Sequence, residues 1–467
     1  MARSTLAMGG ASRGVVRPRE VLPCVWIGEA MNLIQRYLNK QLTRVLDGLA
    51  ESSTRHLVRV AHETDAGAGA SELVAPRGEL LPARQLADHL ASDCVIKSRS
   101  VVLDAALTHV DDVYTALDGV ADTWDAESRL INVSYNRLWR PFVKGFRRIS
   151  RNERVPENWI PPDELENQLE QTGFEIVERR TAVILPVPIP IVGGFVNRWL
   201  TPLPILRLLC VYNIVVARPI RTTRPAEPSV SVIIAARNEE GNIEPLVRRV
   251  PRLATRQEII FVEGGSSDDT WGAIQRVIAN NPTPATMIKA YKQTGKGKGD
   301  AVRLGFAQAS GDILIILDAD ISVPPEELTR FIDLLRRNAC EFANGSRLVY
   351  PMEKQAMQFL NLIGNRLFGV AFTFLLGQPV RDTLCGTKAL WATDYQRIAA
   401  QRSYFGDFDP FGDFDLLFGA SRLHLKIRDV PVHYKERVYG STNISRFRHG
   451  VLLLRMTMVA ARKLRFV

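Results

Sequence analysis

Cysteine is scarce in this chain: Cys24, Cys94, Cys210, Cys340 and Cys385 are all there is, an odd number, widely scattered. No C-x-x-C pair occurs, so neither a zinc site nor a disulfide framework is indicated, and a reducing compartment fits. Long hydrophobic runs are missing as well. No segment offers the ~20 uninterrupted apolar residues that crossing a bilayer takes. Residues 359–376 come nearest but are broken by Asn361, Asn365 and Arg366, and residues 451–461 are few and include Arg455. Both suit a membrane surface, and neither is expected to span. The N-terminus has Arg3, Arg13, Arg17 and Arg19 but no apolar run behind them that would make a signal peptide. Internal repeats and long low-complexity tracts are absent too. The expected location is cytoplasmic, with any membrane contact peripheral, at the inner face of the cell membrane.

Acidic residues fall short of basic ones, 50 against 60, giving a formal net charge of +10. An excess of that size points to an anionic partner without choosing between nucleic acid, a membrane surface and a phosphorylated ligand. No nucleic-acid recognition motif accompanies it, so nucleic acid is not expected. At 46% hydrophobic and 24% charged residues the composition is that of a globular chain. Its 467 residues are too many for one ordinary core, which leaves two or three domains.

A composition break falls at "RPIRTTRPAEP", residues 218–228, where prolines alternate with arginines. Such a stretch holds neither a helix nor a central strand, so residues 219–228 read as a linker. Beyond it, strand, loop and helix alternate. Residues 230–235 are a mostly β-branched run, the mark of a strand buried on both faces. Residues 243–250 read as a helix, 258–262 as a second strand, 270–280 as a helix and 313–317 as a third buried strand. That alternation predicts an α/β fold with a mainly parallel sheet and ligands at the carboxyl ends of its strands.

The third strand runs straight into Asp318-Ala319-Asp320. Two carboxylates at i and i+2 on a strand end can bracket a hard divalent cation, Mg²⁺ or Mn²⁺, with diphosphate oxygens completing its shell. A D-x-D triplet also arises by accident on solvated turns, so the flanking segments matter. In order they are "SVIIAARNEEGNI" (231–243), "IIFVEGGSSDDT" (259–270), "GKGKGDAVRLGF" (295–306) and "ILDAD" (316–320). Together they resemble the nucleotide-binding half of family 2 glycosyltransferases, which have the GT-A fold, and in particular the dolichyl-phosphate mannosyltransferase-like branch. The resemblance covers residues 229–467.

The resemblance implies roles by position. Ala236, Arg237 and Glu239, with Glu263 and Ser266, would hold the nucleoside of a GDP- or UDP-linked sugar. Glu263 stands where the family usually has an aspartate that reads the base, Gly264 replaces a second acidic residue, and Ala235 stands where proline is frequent. Those departures leave the base open. Lys296 and Lys298 lie in a glycine-rich turn before a helix, a geometry suited to phosphates, though a solvated loop reads equally well. Arg347 would lie near the sugar-diphosphate, and "DTLCGTK" (382–388) would line the acceptor side. Of Asp407, Asp409, Asp413 and Asp415, Asp413 in "GDFDLL" matches the family's general base, and at least two of the four are better read as helix caps. Arg437 and Ser441 in "ERVYGSTNISRF" match a C-terminal loop that closes over the diphosphate. Asp413, Asp320 and Arg437 are thus the expected catalytic residues, and Asp318 and Asp320 the metal ligands.

The reaction so implied is an inverting transfer from a nucleotide sugar to a lipid phosphate such as polyprenyl phosphate, or to a glycan. Residues 359–377 would then form helices at the membrane interface, or else a core helix or dimer contact. From Ser421 onward eleven Lys/Arg face two acidic residues, an excess that suits anionic headgroups as well as phosphate.

The first half is less readable. Residues 130–134, 174–185 and 208–217 look like strands and 162–172 like an amphipathic helix, while residues 1–94 have poor periodicity. Segments 101–117, 128–141 and 164–180 resemble the later part of a class I S-adenosylmethionine-dependent methyltransferase, which implies a partial Rossmann-like α/β domain over 95–218. Its sheet would end in an antiparallel hairpin. The only candidate cofactor loop is "VAHETDAGAGASEL" (60–73), with Asp65, Gly67 and Gly69, and no acidic residue for a ribose is identifiable. The domain therefore reads as degenerate, and S-adenosylmethionine is not the expected cofactor. A bifunctional glycosyltransferase/methyltransferase and a silent nucleotide-sugar-binding protein are the alternatives.

Overall fold

The computed structural model describes residues 22–49, 55–62, 71–75, 80–97, 99–149, 157–220, 224–281, 283, 285–351, 359–404, 412–436, 439 and 446–466. Asp65, Gly67, Gly69, Asp407, Asp409, Arg437 and Ser441 lie outside the described residues.

In the first half, β1 (Arg55–His62), β2 (Ser71–Ala75), β3 (Ser100–Asp104), β4 (Arg129–Tyr135), β5 (Phe174–Ala182) and β6 (Tyr212–Pro219) form one sheet in the order β2-β1-β3-β4-β6-β5. The pairs among β1, β2, β3 and β4 are parallel, and β4–β6 and β5–β6 are antiparallel. Alternate residues of each strand serve opposite faces. Val101, Leu103 and Leu130 pack into one layer, while Val102, Ile131 and Val133 pack into the other. Two of these strands, β1 and β2, come from the stretch that periodicity leaves unplaced. β6 begins at Tyr212, later than the expected 208, because Leu206–Leu209 turns as a short 3₁₀ helix. The β5–β6 connection is no tight turn; it holds a helix of its own, Val192–Trp199.

The second sheet comprises β7 (Val230–Ala236), β8 (Gln257–Glu263), β9 (Met287–Lys292), β10 (Ile313–Ile316), β11 (Phe342–Ser346), β12 (Lys388–Trp391) and β13 (Ile427–Pro431). Their order is β13-β11-β12-β10-β7-β8-β9. Only β12 runs antiparallel to its neighbours. β7 is buried along nearly its whole length, with Val232 and Ile234 in one layer and Ile233 in the other. Its polar member, Ser231, is accommodated because its hydroxyl donates to Glu258 Oε1 (2.6 Å) and accepts from Gly311 N (2.9 Å). The helices Ile243–Arg249 and Thr270–Asn280 form where the periodicity places them.

Phe359–Leu376 is one continuous helix. It buries Phe372, Leu375 and Leu376, with the Phe372 ring 4.6 Å from Phe414 and 5.1 Å from Phe418, and turns Leu367 and Val370 outward. It is a core helix on one side with an unpartnered apolar side. Among the described residues no helix is long and apolar enough to cross a membrane.

The proline-arginine stretch does not act as a loose spacer. Arg218 and Pro219 still belong to β6, and Arg224 pairs with the buried Asp394 (2.7 Å) beneath the Trp391 ring. Nearby, Arg129 of β4 reaches across to Glu341, just before β11, through two Nη2 hydrogen bonds of 2.8 and 2.9 Å. Both side chains are buried, so an ion pair clamps the two sheets together.

Candidate active site

The loops at the carboxyl ends of β8, β7 and β10 lie side by side because those strands are neighbours: Ala236 pairs with Glu263, and Ile233 with Ile316. Adjacent strands sit ~4.8 Å apart, so residues far apart in sequence reach one rim. β12 is antiparallel and presents its first residue there, Lys388 opposite Ile316. β11 ends on the same rim and delivers Arg347 one residue past Ser346.

Asp318 and Asp320 follow β10 by two and four residues. Asp318 pairs with the ammonium of Lys298, the first residue of helix Lys298–Gln308. Burial works against ionisation of Asp318, but Lys298, then Lys388 and Arg347, hold its carboxyl below the usual carboxylate range. Asp320 is buried and its Oδ1 accepts the Ser322 N–H at 3.0 Å, across a turn in which Ile321 adopts φ +56°. A β-branched residue rarely takes that conformation, so the turn after the second carboxylate is strained, as functional turns often are.

The donor set is oxygen only, which suits Mg²⁺ or Mn²⁺. Among the described residues no cluster of three or more His, Cys, Asp or Glu is arranged to hold a metal. An ion at the aspartate pair would complete its shell from phosphate and water.

Gly386 closes against this pair. A Cβ there would land on Asp318 Oδ2 and on Lys298 Nζ, so only glycine lets the "DTLCGTK" loop pass. Gly386→Ala is expected to displace the Lys298–Asp318 pair and lower turnover about 10²-fold, the scale of a ~1 Å misplacement. Steady-state kinetics beside a thermal melt that stays near wild type would check it.

Arg347 is not left loose over the rim. Its Nε and Nη2 grip Asp382 at 2.7 and 2.9 Å, and its face lies 5.0 Å from the Tyr434 ring centre. Asp382 also accepts from Asn365 Nδ2 (2.9 Å) and Leu384 N (3.1 Å). Burial opposes its ionisation, yet Arg347 and these donors bring its pKa down to about 2. Asp382, Gly386 and the fully buried Lys388 lie in a segment the sequence singles out, but their tie to Arg347 and Asp318 crosses the sheet and has no local signature. Cys385 between them is pushed up to about 12 by burial and is no nucleophile.

At the other end of the rim, Glu263 Oε1 accepts Ser266 N (2.6 Å) and the Ser266 hydroxyl accepts Asn238 N (3.0 Å). Asn238 takes φ +58°, and its Oδ1 accepts Ser267 N (2.7 Å), knitting the β7 and β8 loops together. Glu239 is buried, its N–H bound to Thr270 Oγ1 (2.9 Å) and its carboxylate to Asn242 Nδ2 (2.6 Å). Ala236 is buried and Arg237 exposed. The Tyr439 ring lies against Gly241. Lys296 is exposed.

Asp413 is the first residue of helix Asp413–Arg422, preceded by Gly412 at φ +76°. A Cβ on Gly412 would sit 3.0 Å from Gly299 Cα, so this helix starts against the helix that carries Lys298. Asp415 is committed to Arg402 at 2.9 Å.

The Glycosyl transferase family 2 profile matches residues 231–397. A dolichol-phosphate mannosyltransferase from Pyrococcus furiosus is 37% identical over 122 residues, 26% of this chain and 33% of its own. A polyprenol monophosphomannose synthase from Mycolicibacterium smegmatis is 26% identical over 48% of this chain and 83% of its own. An undecaprenyl-phosphate 4-deoxy-4-formamido-L-arabinose transferase from Pseudomonas syringae pv. syringae is 30% identical over 47% of this chain and 61% of its own. The chain thus spans from a third to about four-fifths of the length of these relatives. Residues 231–397 are similar to family 2 glycosyltransferases, and this matched segment carries strands β7 to β12 with their rim of carboxylates and cations.

Proposed function

We propose that this domain transfers a sugar from a GDP- or UDP-linked donor to a polyprenyl phosphate, with inversion, and that Asp318 and Asp320 hold Mg²⁺ or Mn²⁺ at the diphosphate. The observation that carries the reading is the carboxylate–cation rim itself: Asp318, just past the end of β10, pairs with the Lys298 ammonium, and β12 and β11 deliver Lys388 and Arg347 to the same rim. Two of the three relatives are named for mannose and the third for 4-deoxy-4-formamido-L-arabinose, but their names share one acceptor class, a polyprenyl phosphate.

The nucleoside lies on the loops after β7 and β8, where Glu263 and Ser266 fix the backbone and Ala236, Arg237 and Glu239 form the floor. Lys298 and Arg347 face the diphosphate and favour the charge that builds on it as the bond breaks. A metal bound at the aspartate pair supplies Lewis-acid stabilisation of the departing diphosphate. An oxygen of the acceptor phosphate attacks the anomeric carbon from the face opposite the leaving group. The new C–O bond forms as the bond to the β-phosphate breaks, and nucleoside diphosphate leaves with the electron pair. A lipid phosphate is already ionised near neutral pH, so Asp413 orients the acceptor and need not take a proton. A hydroxyl acceptor, such as a glycan, would need Asp413 as its base. By sequence match alone, Arg437 and Ser441 would contribute a cation and a hydroxyl to the diphosphate.

We read the first sheet as a degenerate methyltransferase-type domain, supported by its strand order and terminal antiparallel hairpin. At the carboxyl ends of β1 and β3, where such a cofactor would sit, Arg59 is bonded to Asp104 at 3.0 Å, and no S-adenosylmethionine is proposed.

The test is a donor screen with the full-length protein, Mg²⁺ or Mn²⁺, a panel of nucleotide sugars and polyprenyl phosphate, following nucleoside diphosphate release. Metal-dependent release that needs the lipid is expected. Donor binding without release would move the acceptor elsewhere, and no donor binding with metal present would end the glycosyltransferase reading.

A further inference from the structure

The connection between β5 and β6 is built inside out. Connections beyond ~12–15 residues inside a compact domain are usually functional, and this one runs from Val183 to Val211. Its helix Val192–Trp199 packs inward through Gly193, which lies against Tyr37, and through Asn197. Asn197 Oδ1 accepts the N–H groups of Ile184 (3.0 Å) and Leu185 (2.8 Å), and its Nδ2 donates to Leu185 O (2.9 Å). The segment is therefore anchored by its small and polar residues. The apolar positions Val192, Phe195 and Trp199, spaced i, i+3, i+7, form a stripe that faces outward. A surface helix of a globular protein normally does the reverse.

The exposure is extensive. Ten large apolar side chains between Val187 and Leu209 are exposed, among them Ile191 at 92% and Ile205 at 81%. Ile191 also takes φ +64°, so a β-branched side chain is held in open solvent at a strained position. Single exposed apolar residues are ordinary; a contiguous group of this size marks a contact surface.

The patch continues past the insert. Trp139 Nε1 donates to Leu209 O (2.9 Å) and its ring meets Phe142 at 5.4 Å, which places helix Arg140–Ile149, with Phe142 68% exposed, at the same edge. On the other side Trp199 stacks on Phe466 at 5.0 Å and Arg198 donates to Phe466 O, joining the insert to the end of the second domain. Between the domains lies a cleft of about 1090 Å³, lined by Leu208 of the insert and by Val370 and Phe374 of helix Phe359–Leu376. Arg137, Arg198 and Arg207 line it too.

Charge identifies the occupant. No Asp or Glu occurs from residue 183 to 217, from 129 to 149, from 359 to 381 or from 446 to 466, the four segments that meet here. The cleft's two carboxylates, Glu166 and Glu178, are each paired with an arginine, Arg179 and Arg180, so the face as a whole carries excess cations beside its apolar side chains and matches a bilayer bearing anionic headgroups. A protein partner of opposite charge would leave the apolar stripe without a reason to be this wide.

We propose that this face, the β5–β6 insert with helix Arg140–Ile149 and the outer side of helix Phe359–Leu376, seats the protein on an anionic phospholipid bilayer, with Arg137, Arg198 and Arg207 meeting headgroup phosphates. The membrane anchor is thus contributed largely by the first domain, not by the sugar-transfer domain. The proposal stands apart from the donor chemistry, since it needs no turnover. It also gives the first domain a task. Asn365, which holds Asp382 beneath Arg347, and Phe374 in the cleft are on one helix, ~14 Å apart at 1.5 Å per residue.

Co-sedimentation of full-length protein with vesicles, without donor or metal, tests this. Vesicles of phosphatidylcholine with added phosphatidylglycerol should bind the protein about tenfold more strongly than phosphatidylcholine alone. Ile191→Ser with Ile205→Ser, both on the open surface, should weaken binding to either vesicle about thirtyfold or more while circular dichroism and thermal midpoint stay at wild-type values. Arg207→Gln should reduce the preference for anionic vesicles about fivefold and leave the remainder. Wild-type protein that ignores both vesicles would overturn the proposal, as would Ser variants that sediment like wild type. A dimer that those Ser substitutions dissociate, in the absence of vesicle binding, would assign the face to a second copy of the chain and overturn it equally.

Discussion

Asp320→Asn is expected to lower nucleoside diphosphate release about 10³-fold, the scale on which removing a pre-placed charge-stabilising group acts. The substitution is chosen for what it keeps. An asparagine fills the same space, and its carbonyl oxygen accepts the Ser322 N–H that Asp320 Oδ1 now accepts. Only the charge goes, so the turn at Ile321 should hold and the protein should melt near the wild-type temperature. Asp318→Asn should cut the rate by a similar factor but behave differently in the melt. It leaves Lys298 and the buried Lys388 facing a neutral amide, which removes the anion that now balances them. The pair of variants therefore separates two roles at one site. Parallel titrations with Mn²⁺ should show the metal requirement moving to higher concentration in both. Turnover within a few-fold of wild type in Asp320→Asn would show that the second carboxylate carries no charge-dependent step.

The parts of this site that are legible in the sequence share a physical cause. β7, β8 and β10 are central strands covered on both faces, so they read as continuous apolar runs, and the aspartates stand out because they interrupt such a run at its end. β9 escaped that reading because it is the edge strand: its residues are half-exposed, and "MIKAYK" mixes lysines with apolar residues as an edge does. β2 has only five residues, β1 interrupts its apolar positions with Arg and His, and Gly/Ala-rich sequence lies between them, so neither period is expressed strongly enough to place them. Arg347, Asp382 and Lys388 all lie in segments the sequence singles out, but which partner each one meets is not written there. Lys388 opens an apolar strand and looks like a boundary residue until β12 is set against β10, bringing it near Asp318. Asp382 and Arg347 are 35 positions apart and meet only when β11 and the "DTLCGTK" loop share the rim. Local pattern carries burial and periodicity; it does not carry which two loops the sheet order makes neighbours.

The same limit applies most strongly at the junction of the two domains, where the second large effect is expected. Arg129 and Glu341 are 212 positions apart and neither belongs to a recognisable motif. Every N–H of the Arg129 guanidinium is engaged: Nε with His424 O, Nη1 with Ala126 O and Ser128 O, Nη2 with both oxygens of Glu341. Glu341 in turn accepts from Lys426 N (2.8 Å) and lies 3.7 Å from both Arg218 and Arg224. Burial opposes its ionisation, but Arg129, then Arg218 and Arg224, keep its carboxyl below the usual range. Breaking such a pair from one side costs about 3–5 kcal/mol, since the remaining charge stays buried. The two sides are not equivalent. Arg129→Met leaves Glu341 with Arg218 and Arg224 still beside it, which places the loss near ~3 kcal/mol. Glu341→Gln strands Arg129 among three other arginines, Arg218, Arg224 and Arg397, with Asp394 and Glu175 as the remaining anions, and should cost ~5 kcal/mol or more. Chemical denaturation followed by intrinsic fluorescence would order the variants, and the double substitution Arg129→Met with Glu341→Leu should recover much of the loss because both buried charges leave together. A double variant as unstable as Glu341→Gln would mean that the pair is not an isolated clamp and that the junction depends on the whole arginine cluster. An additive result, with each single loss retained, would mean the two side chains contribute independently and that the other contacts across the junction, such as Lys426–Glu175 and His424–Glu178, hold the domains without a coupled clamp.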